Sequence, residues 1–275
     1  MAGDMAATLA VGDHYGRRSL WGRVQDALIA EGLSGDALSW QQLAVLDQFH
    51  VRGLAATREL ADGLALTAAS RVLDVGCGLG GPARCLAATT GCHVTGIDLS
   101  QPFIEVAAAL GLACGLADRL DFRQADALAL PFADATFDHA ITQHVAMNIA
   151  DRRTFLTGIH RVLKSGGRLG VYDVVAIDGQ QPDYPLPWAR DSAISFLQTA
   201  QQMAGSVTDA GFEVLSFDDK TAEALSWFSR QSGRTPGRLG LALVMGPDFP
   251  AMTANLKKNL GEGRLGLVQA LLRRR

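Results

Sequence analysis

The spacing of hydrophobic and polar positions changes character near Ser70. Upstream, Trp21, Val24 and Leu28 recur at i, i+3 and i+7, as one face of an amphipathic helix requires. Gly12, Gly16, Gly32, Gly35 and Gly53 punctuate this region into short helices, including one over residues 40–49 and one over 54–66. Residues 1–68 therefore read as a helical N-terminal cap. Downstream, short apolar runs alternate with helix-period stretches, the rhythm of βαβ units in a parallel sheet. Strands are predicted around Val72 to Val75 and over residues 93–98, 120–125, 137–143, 168–175 and 212–217. Residues 265–272 form a last strand tucked into the sheet. Helices are expected over 101–116, with Phe103, Ala107 and Leu110 on one face, and over 151–163, with Phe155, Ile159 and Val162 inward. Gly166 and Gly167 are expected to end the latter. A further helix runs through Gln201 and Ala210.

Two stretches break this rhythm. Pro182, Pro185 and Pro187 forbid continuous helix before Trp188 and suit an irregular loop over an opening. A longer insertion after the sixth strand carries helices and loops. Residues 69–275 thus read as an α/β core with lid insertions at about 177–200 and 220–262.

The first strand runs into Gly76, Gly78, Gly80 and Gly81, with Pro82 suited to the first turn of a helix. Strand, glycine turn and helix N-terminus together present backbone donors to a cofactor at the carboxyl end of a sheet strand. GCGLGG satisfies both G-x-G-x-G and the dinucleotide pattern. Asp98, 22 residues after Gly76, ends the second strand, where a carboxylate can accept from two ribose hydroxyls. Asp74 precedes the glycines, a position that repels a pyrophosphate and favours a cationic aminoalkyl group. Charge therefore points to a sulfonium cofactor. Asp126, after the third strand, is placed to meet an adenine amino group while Ala127 supplies a backbone N–H.

A hydrophobic fraction of 48% and a charged fraction of 19% are ordinary for a globular chain of 275 residues. A net charge of -3 argues against nucleic acid and anionic membranes as partners, and leaves a small-molecule substrate. Cys77, Cys85, Cys92 and Cys114 lack zinc-type spacing, so free thiols in a soluble, cytoplasmic protein with no metal site are expected. Arg273, Arg274 and Arg275 read as a solvated tail.

The runs VLDVGCGLGGPAR, VTGIDLS, QADALALPFADATFD and HRVLKSGGRLGVYDV, in that order, resemble the motif set of class I S-adenosylmethionine-dependent methyltransferases. The resemblance implies a Rossmann-like, seven-stranded, mostly parallel sheet with one antiparallel strand, the role it gives to residues 265–272. It implies that Gly76, Cys77 and Gly78 line the methionine part, that Asp98 holds the ribose, and that Asp126 and Ala127 hold the adenine. Leu99 and Gln143 complete the candidate cofactor set with Asp74. The cap, GLGGPAR and the lid are similar to small-molecule methyltransferases of the sarcosine and dimethylglycine, phosphoethanolamine and tocopherol type. The activity implied is in-line methyl transfer from S-adenosylmethionine, with S-adenosylhomocysteine as co-product. An amine acceptor is favoured, and oxygen and carbon stay open. The alternatives are an NAD-dependent oxidoreductase and a non-catalytic S-adenosylmethionine-binding protein.

An oxygen or carbon acceptor benefits from a base. His144, just past the fourth strand, is the first candidate, and His50 in DQFHVRG the second. His93, His139 and His160 read as structural. Tyr15 and Trp188 are candidate walls of the substrate chamber, through packing or through attraction of a cation to an aromatic face. Asp173 either faces the substrate or finishes a turn.

Overall fold

Alternation along the first strand, β1 (Arg71–Val75), decides which layer each residue joins. Val72 points into one apolar cluster, and Leu73 and Val75 into another on the opposite face of the sheet. This is a computed structural model, which describes residues 19–33, 38–231 and 237–275. Tyr15 lies outside the described residues.

The sheet comprises β1, β2 (His93–Asp98), β3 (Leu120–Gln124), β4 (Phe137–Gln143), β5 (Leu163–Ala176), β6 (Phe212–Asp219) and β7 (Leu265–Arg274), in the order β3-β2-β1-β4-β5-β7-β6. β1 pairs in parallel with β2 and β4, β2 with β3, and β4 with β5; β7 runs antiparallel to both β5 and β6. The order reverses beside β1, the switch point at which open α/β sheets bind ligands beyond their carboxyl ends.

Helices α1 (Leu20–Ala30), α2 (Ala44–Asp47) and α3 (Leu54–Leu64) precede the sheet. Within it come α4 (Gly81–Thr90), α5 (Gln101–Ala113), α6 (Arg152–Val162) and α7 (Ala200–Asp209). α8 (Thr221–Gln231), α9 (Leu241–Met245) and α10 (Phe249–Gly261) fill the insertion before β7. α3 and α4 bury Leu60, Leu64 and Leu86 against Val72, Val94 and Ile141, while α6 and α7 bury Phe155, Ile159 and Val207 on the other face. α1 packs on α5 through Val24, Leu28, Val106 and Leu110. Among the described residues, no helix is long and apolar enough to cross a membrane.

Three local expectations are corrected. The helix expected over 40–49 shrinks to α2, because the chain becomes extended at Gln48 (ψ 86°) after Asp47 is caught by the buried guanidinium of Arg84. Gly166 and Gly167 do not end α6; they lie inside β5. Leu163 already pairs with Phe137, and the glycines take up a bulge before Arg168 pairs with His139. Arg273 and Arg274 are not a solvated tail. They extend β7, with Arg273 donating to Glu213 at 2.6 Å and Arg274 to the carbonyls of Arg161 and Leu163.

Candidate active site

The glycine turn is bound to the strand beside it. Gly76 and Cys77 donate backbone N–H groups to the Ile97 carbonyl at 2.8 and 2.9 Å, and Gly78 donates to Asp98 Oδ2 at 3.0 Å. Asp98 Oδ1 accepts from Ser100 N–H at 2.9 Å. Burial pushes the Asp98 carboxyl up and these backbone donors pull it down. Each oxygen keeps a lone pair for a ligand.

Gly78 has φ 54°, in the left-handed region, and a Cβ there would stand 3.0 Å from the Phe49 ring. Close approach matters even more at Gly81, where a Cβ would lie 2.5 Å from the Asp47 carbonyl. The cap segment that carries Phe49 and His50 therefore crosses directly over the turn.

Above the carboxyl ends of the strands is a cavity of about 440 Å³, within the range of small-molecule sites. Gly76, Gly78, Asp98, Leu99, Asp126, Ala127, Gln143, His144, His50 and Trp188 all line it. His93, His139 and His160 do not. Two expected cofactor residues do not line it either. Asp74 shares the face of β1 that packs on α4, and is buried one layer beneath the turn. Desolvation and the charge of Asp98 push its carboxyl up to about 7. The Ala83 backbone N–H pulls it down by a lesser amount, Oδ2 is buried without a partner, and the residue does not line the cavity. The Cys77 side chain is likewise turned into the protein, with its thiol pushed up by burial.

Asp126 is exposed at the cavity edge, and its Oδ1 accepts from Leu128 N–H at 2.8 Å, leaving Oδ2 outward. Gln143, at the end of β4, lines the chamber with one end of its amide buried and unpartnered.

His144 follows at φ 55°, a left-handed backbone unusual for a residue with a side chain. Its N–H donates to the Tyr172 carbonyl at 2.8 Å, and its ring stacks on Tyr172 at 5.3 Å, so packing holds the strained conformation. Nε2 has no protein partner. Desolvation first, and then His50, hold this imidazole well below the ordinary histidine range, so it is neutral. The His50 ring lies 6.0 Å from that of His144, and burial lowers it to about 4. Asp173 neither lines the cavity nor ends a turn: it lies within β5, opposite Val268, and its side chain accepts from Ala146 N–H at 2.7 Å and Val174 N–H at 2.9 Å, with burial raising it to about 6. Its contact with Ala146 steadies the chain that leaves His144.

Apart from Asn148 and Thr253, the remaining walls are apolar: Phe49 and Phe103 over the glycine turn, and Pro187, Trp188, Trp227, Phe228, Met245 and Phe249 among those from the insertions. Trp188 Nε1 donates to Ser195 Oγ at 3.0 Å, which fixes the indole. Asp98 and Asp126 are the cavity's only charged side chains among the described residues. Phe49 could have been suspected from its place beside His50. Trp227, Phe228, Met245 and Phe249 carry no sequence signal beyond amphipathic helices.

Residues 73–171 match a family model described as a methyltransferase domain. The chain is 37% identical over 164 residues to an O-methyltransferase of Pyrenophora dematioidea, covering 59% of this chain and 61% of that one. It is 34% identical over 183 residues to the O-methyltransferase resE of Aspergillus sclerotiorum, covering 66% and 69%. Among solved structures, the [4+2]-cyclase SpnF superposes with a TM-score of 0.62 at 27% identity, over 80% of each chain. The oxidoreductase reading of the glycine turn falls with these relatives. Likeness of this extent, on this strand order, makes the chain a member of the class I S-adenosylmethionine-dependent methyltransferases.

Proposed function

We propose that the chain methylates a hydroxyl oxygen of a neutral, largely apolar small molecule, using S-adenosylmethionine. The observation that carries this is the neutral, unpartnered imidazole of His144 on an apolar chamber continuous with the glycine turn. The turn fits the cofactor. A Cβ on Gly76 would meet the Val145 side chain at 2.3 Å, so glycine lets Val145 close on the turn, while each Asp98 oxygen, bonded once to backbone, keeps a lone pair that fits a ribose hydroxyl. Asp98 would hold the ribose, Asp126 with Ala127 the adenine, and Gly76, Gly78 and Gln143 the methionine end. When bound, the cofactor supplies an electrophilic methyl group on a sulfonium.

The chain's own residues then have three tasks. The cap segment with Phe49 and the insertions with Trp188 and Phe249 exclude water, as a cap and lids over the site. The apolar wall orients the acceptor. His144 Nε2, neutral and without a protein partner, is the group assigned to take the hydroxyl proton as the methyl group transfers. The sequence favours an amine, but the acceptor side offers a cationic amine no carboxylate and a phosphate no cation among the described residues. That charge pattern supports the neutral oxygen acceptor.

The test is a labelled-methyl screen against matched alcohols, phenols, carboxylic acids and amines, read by mass spectrometry. Methylated phenols or alcohols, with one S-adenosylhomocysteine per product, are expected. Methylation confined to amines would overturn the oxygen acceptor. Conversion of a polyene without methyl gain would point to ring closure, the activity for which SpnF is named.

A further inference from the structure

A buried chain of polar groups runs from the helix after the glycine turn to the chamber, and its hydrogen atoms can be counted. Arg84, fully buried, can only donate, and Nη2 lies 2.5 Å from Asp47 Oδ2. Asp47 Oδ1 accepts from Gln48 Nε2 at 3.4 Å, which turns Gln48 Oε1 toward Thr57. Thr57 Oγ1, on α3, lies 3.0 Å from Gln48 Oε1, 3.1 Å from His50 Nε2 and 3.2 Å from Gln143 Oε1.

A hydroxyl carries one hydrogen, so it cannot donate to both amide oxygens. The shorter contact, to an oxygen already oriented by Asp47, takes it. His50 Nε2 also lies 3.1 Å from the Gly53 carbonyl, which only accepts, so Nε2 bears the hydrogen and Nδ1 the lone pair. Two oxygens would then face each other between Thr57 and Gln143 while the Gln143 nitrogen is buried without a partner. Half a turn of that amide relieves the contact between oxygens: Nε2 donates to Thr57, and the carbonyl oxygen takes the buried place, where only an incoming donor would satisfy it.

We infer that Thr57 is a positioning residue, whose hydroxyl donates to Gln48, accepts from Gln143 and shares the single His50 N–H with the Gly53 carbonyl, so that Gln143 turns its carbonyl oxygen to the buried, unpartnered place in the chamber wall. This rests on the methyltransferase reading and deepens it. An acceptor at that point selects a donor, and the donor a sulfonium cofactor offers near the glycine turn is the ammonium of its methionine end. The charge of Arg84 thereby sets the polarity of a contact at the far end of the chain.

The experiment is calorimetry with two probes, S-adenosylhomocysteine, which has that ammonium, and 5′-methylthioadenosine, which lacks the amino-acid end. Wild type binds both. Thr57→Val, near in shape but without the hydroxyl, weakens S-adenosylhomocysteine about tenfold and leaves 5′-methylthioadenosine within about twofold. Thr57→Ser restores the difference. Gln143→Leu, which leaves Thr57 in place, gives the same selective loss. Equal losses for both probes, or no loss in either variant, would overturn the inference. A wild type that binds neither probe would overturn the methyltransferase reading and the inference with it.

Discussion

Over β1, β2 and β3 the chamber is lined by glycine backbone, two carboxylates and a few apolar side chains such as Leu99 and Phe103, all drawn from the short stretch between Gly76 and Ala127; beyond β4 it is lined by side chains scattered from Phe49 in the cap to Leu256 in α10. The first half is local. Asp98 holds Gly78, and Ile97 holds Gly76 and Cys77, so strand and turn fold as one unit. The second half exists only after the cap and the insertions have packed on the sheet. A cofactor needs the same atoms in every member of a family, whereas the acceptor differs, and the proposed roles place the two requirements in different segments.

That separation can be broken by mutation. Asp98→Ala should have the largest effect, weakening S-adenosylhomocysteine at least about 100-fold by calorimetry, since a carboxylate hydrogen bond contributes about 1.5–3 kcal/mol and two would be lost. Wild-type affinity in that variant would detach β2 from the cofactor half. On the acceptor side, His50 has a pKa of about 4 in the fold against 6.5 for an unperturbed imidazole. The unfolded chain binds its proton first, so the neutral, buried ring stabilises the fold above about pH 6.5 and that contribution is lost as pH falls toward 4. Relative to His50→Gln, wild type should lose about 3 kcal/mol between pH 7 and pH 4 in urea unfolding. Parallel profiles would mean that the ring is not buried neutral. The smallest effect is specific to the wall. Trp188→Ala should raise the acceptor KM about tenfold through lost apolar contact, with cofactor affinity unchanged. A matching loss of cofactor affinity would show the halves to be coupled there.

The same contrast explains what was legible in the sequence. Asp98 is found by spacing because one short helix, α4, and one strand, β2, separate it from the glycine turn. β7 is found as a strand, and its antiparallel place follows from the resemblance. Asp74 was misplaced because spacing locates a residue along a strand and not on a face; alternation with Val72 turns it beneath the turn. Gly166, at φ 76°, has the backbone of a helix C-cap, and only the pairing of β4 with β5 reveals a bulge. Phe249 and Thr57 look like any residues of amphipathic helices. Their roles arise from neighbours distant in sequence: Thr57 meets Gln143 across 86 positions.

In the proposed function His144 acts on the acceptor while the glycine turn and Asp98 hold the methyl donor. His144→Ala, assayed side by side for kcat/KM on the acceptor and for the Kd of S-adenosylhomocysteine, tests it most directly. A fall in kcat/KM of at least about 100-fold is expected, with Kd held within about twofold. An unchanged kcat/KM, or a Kd that weakens in step with it, would contradict the account.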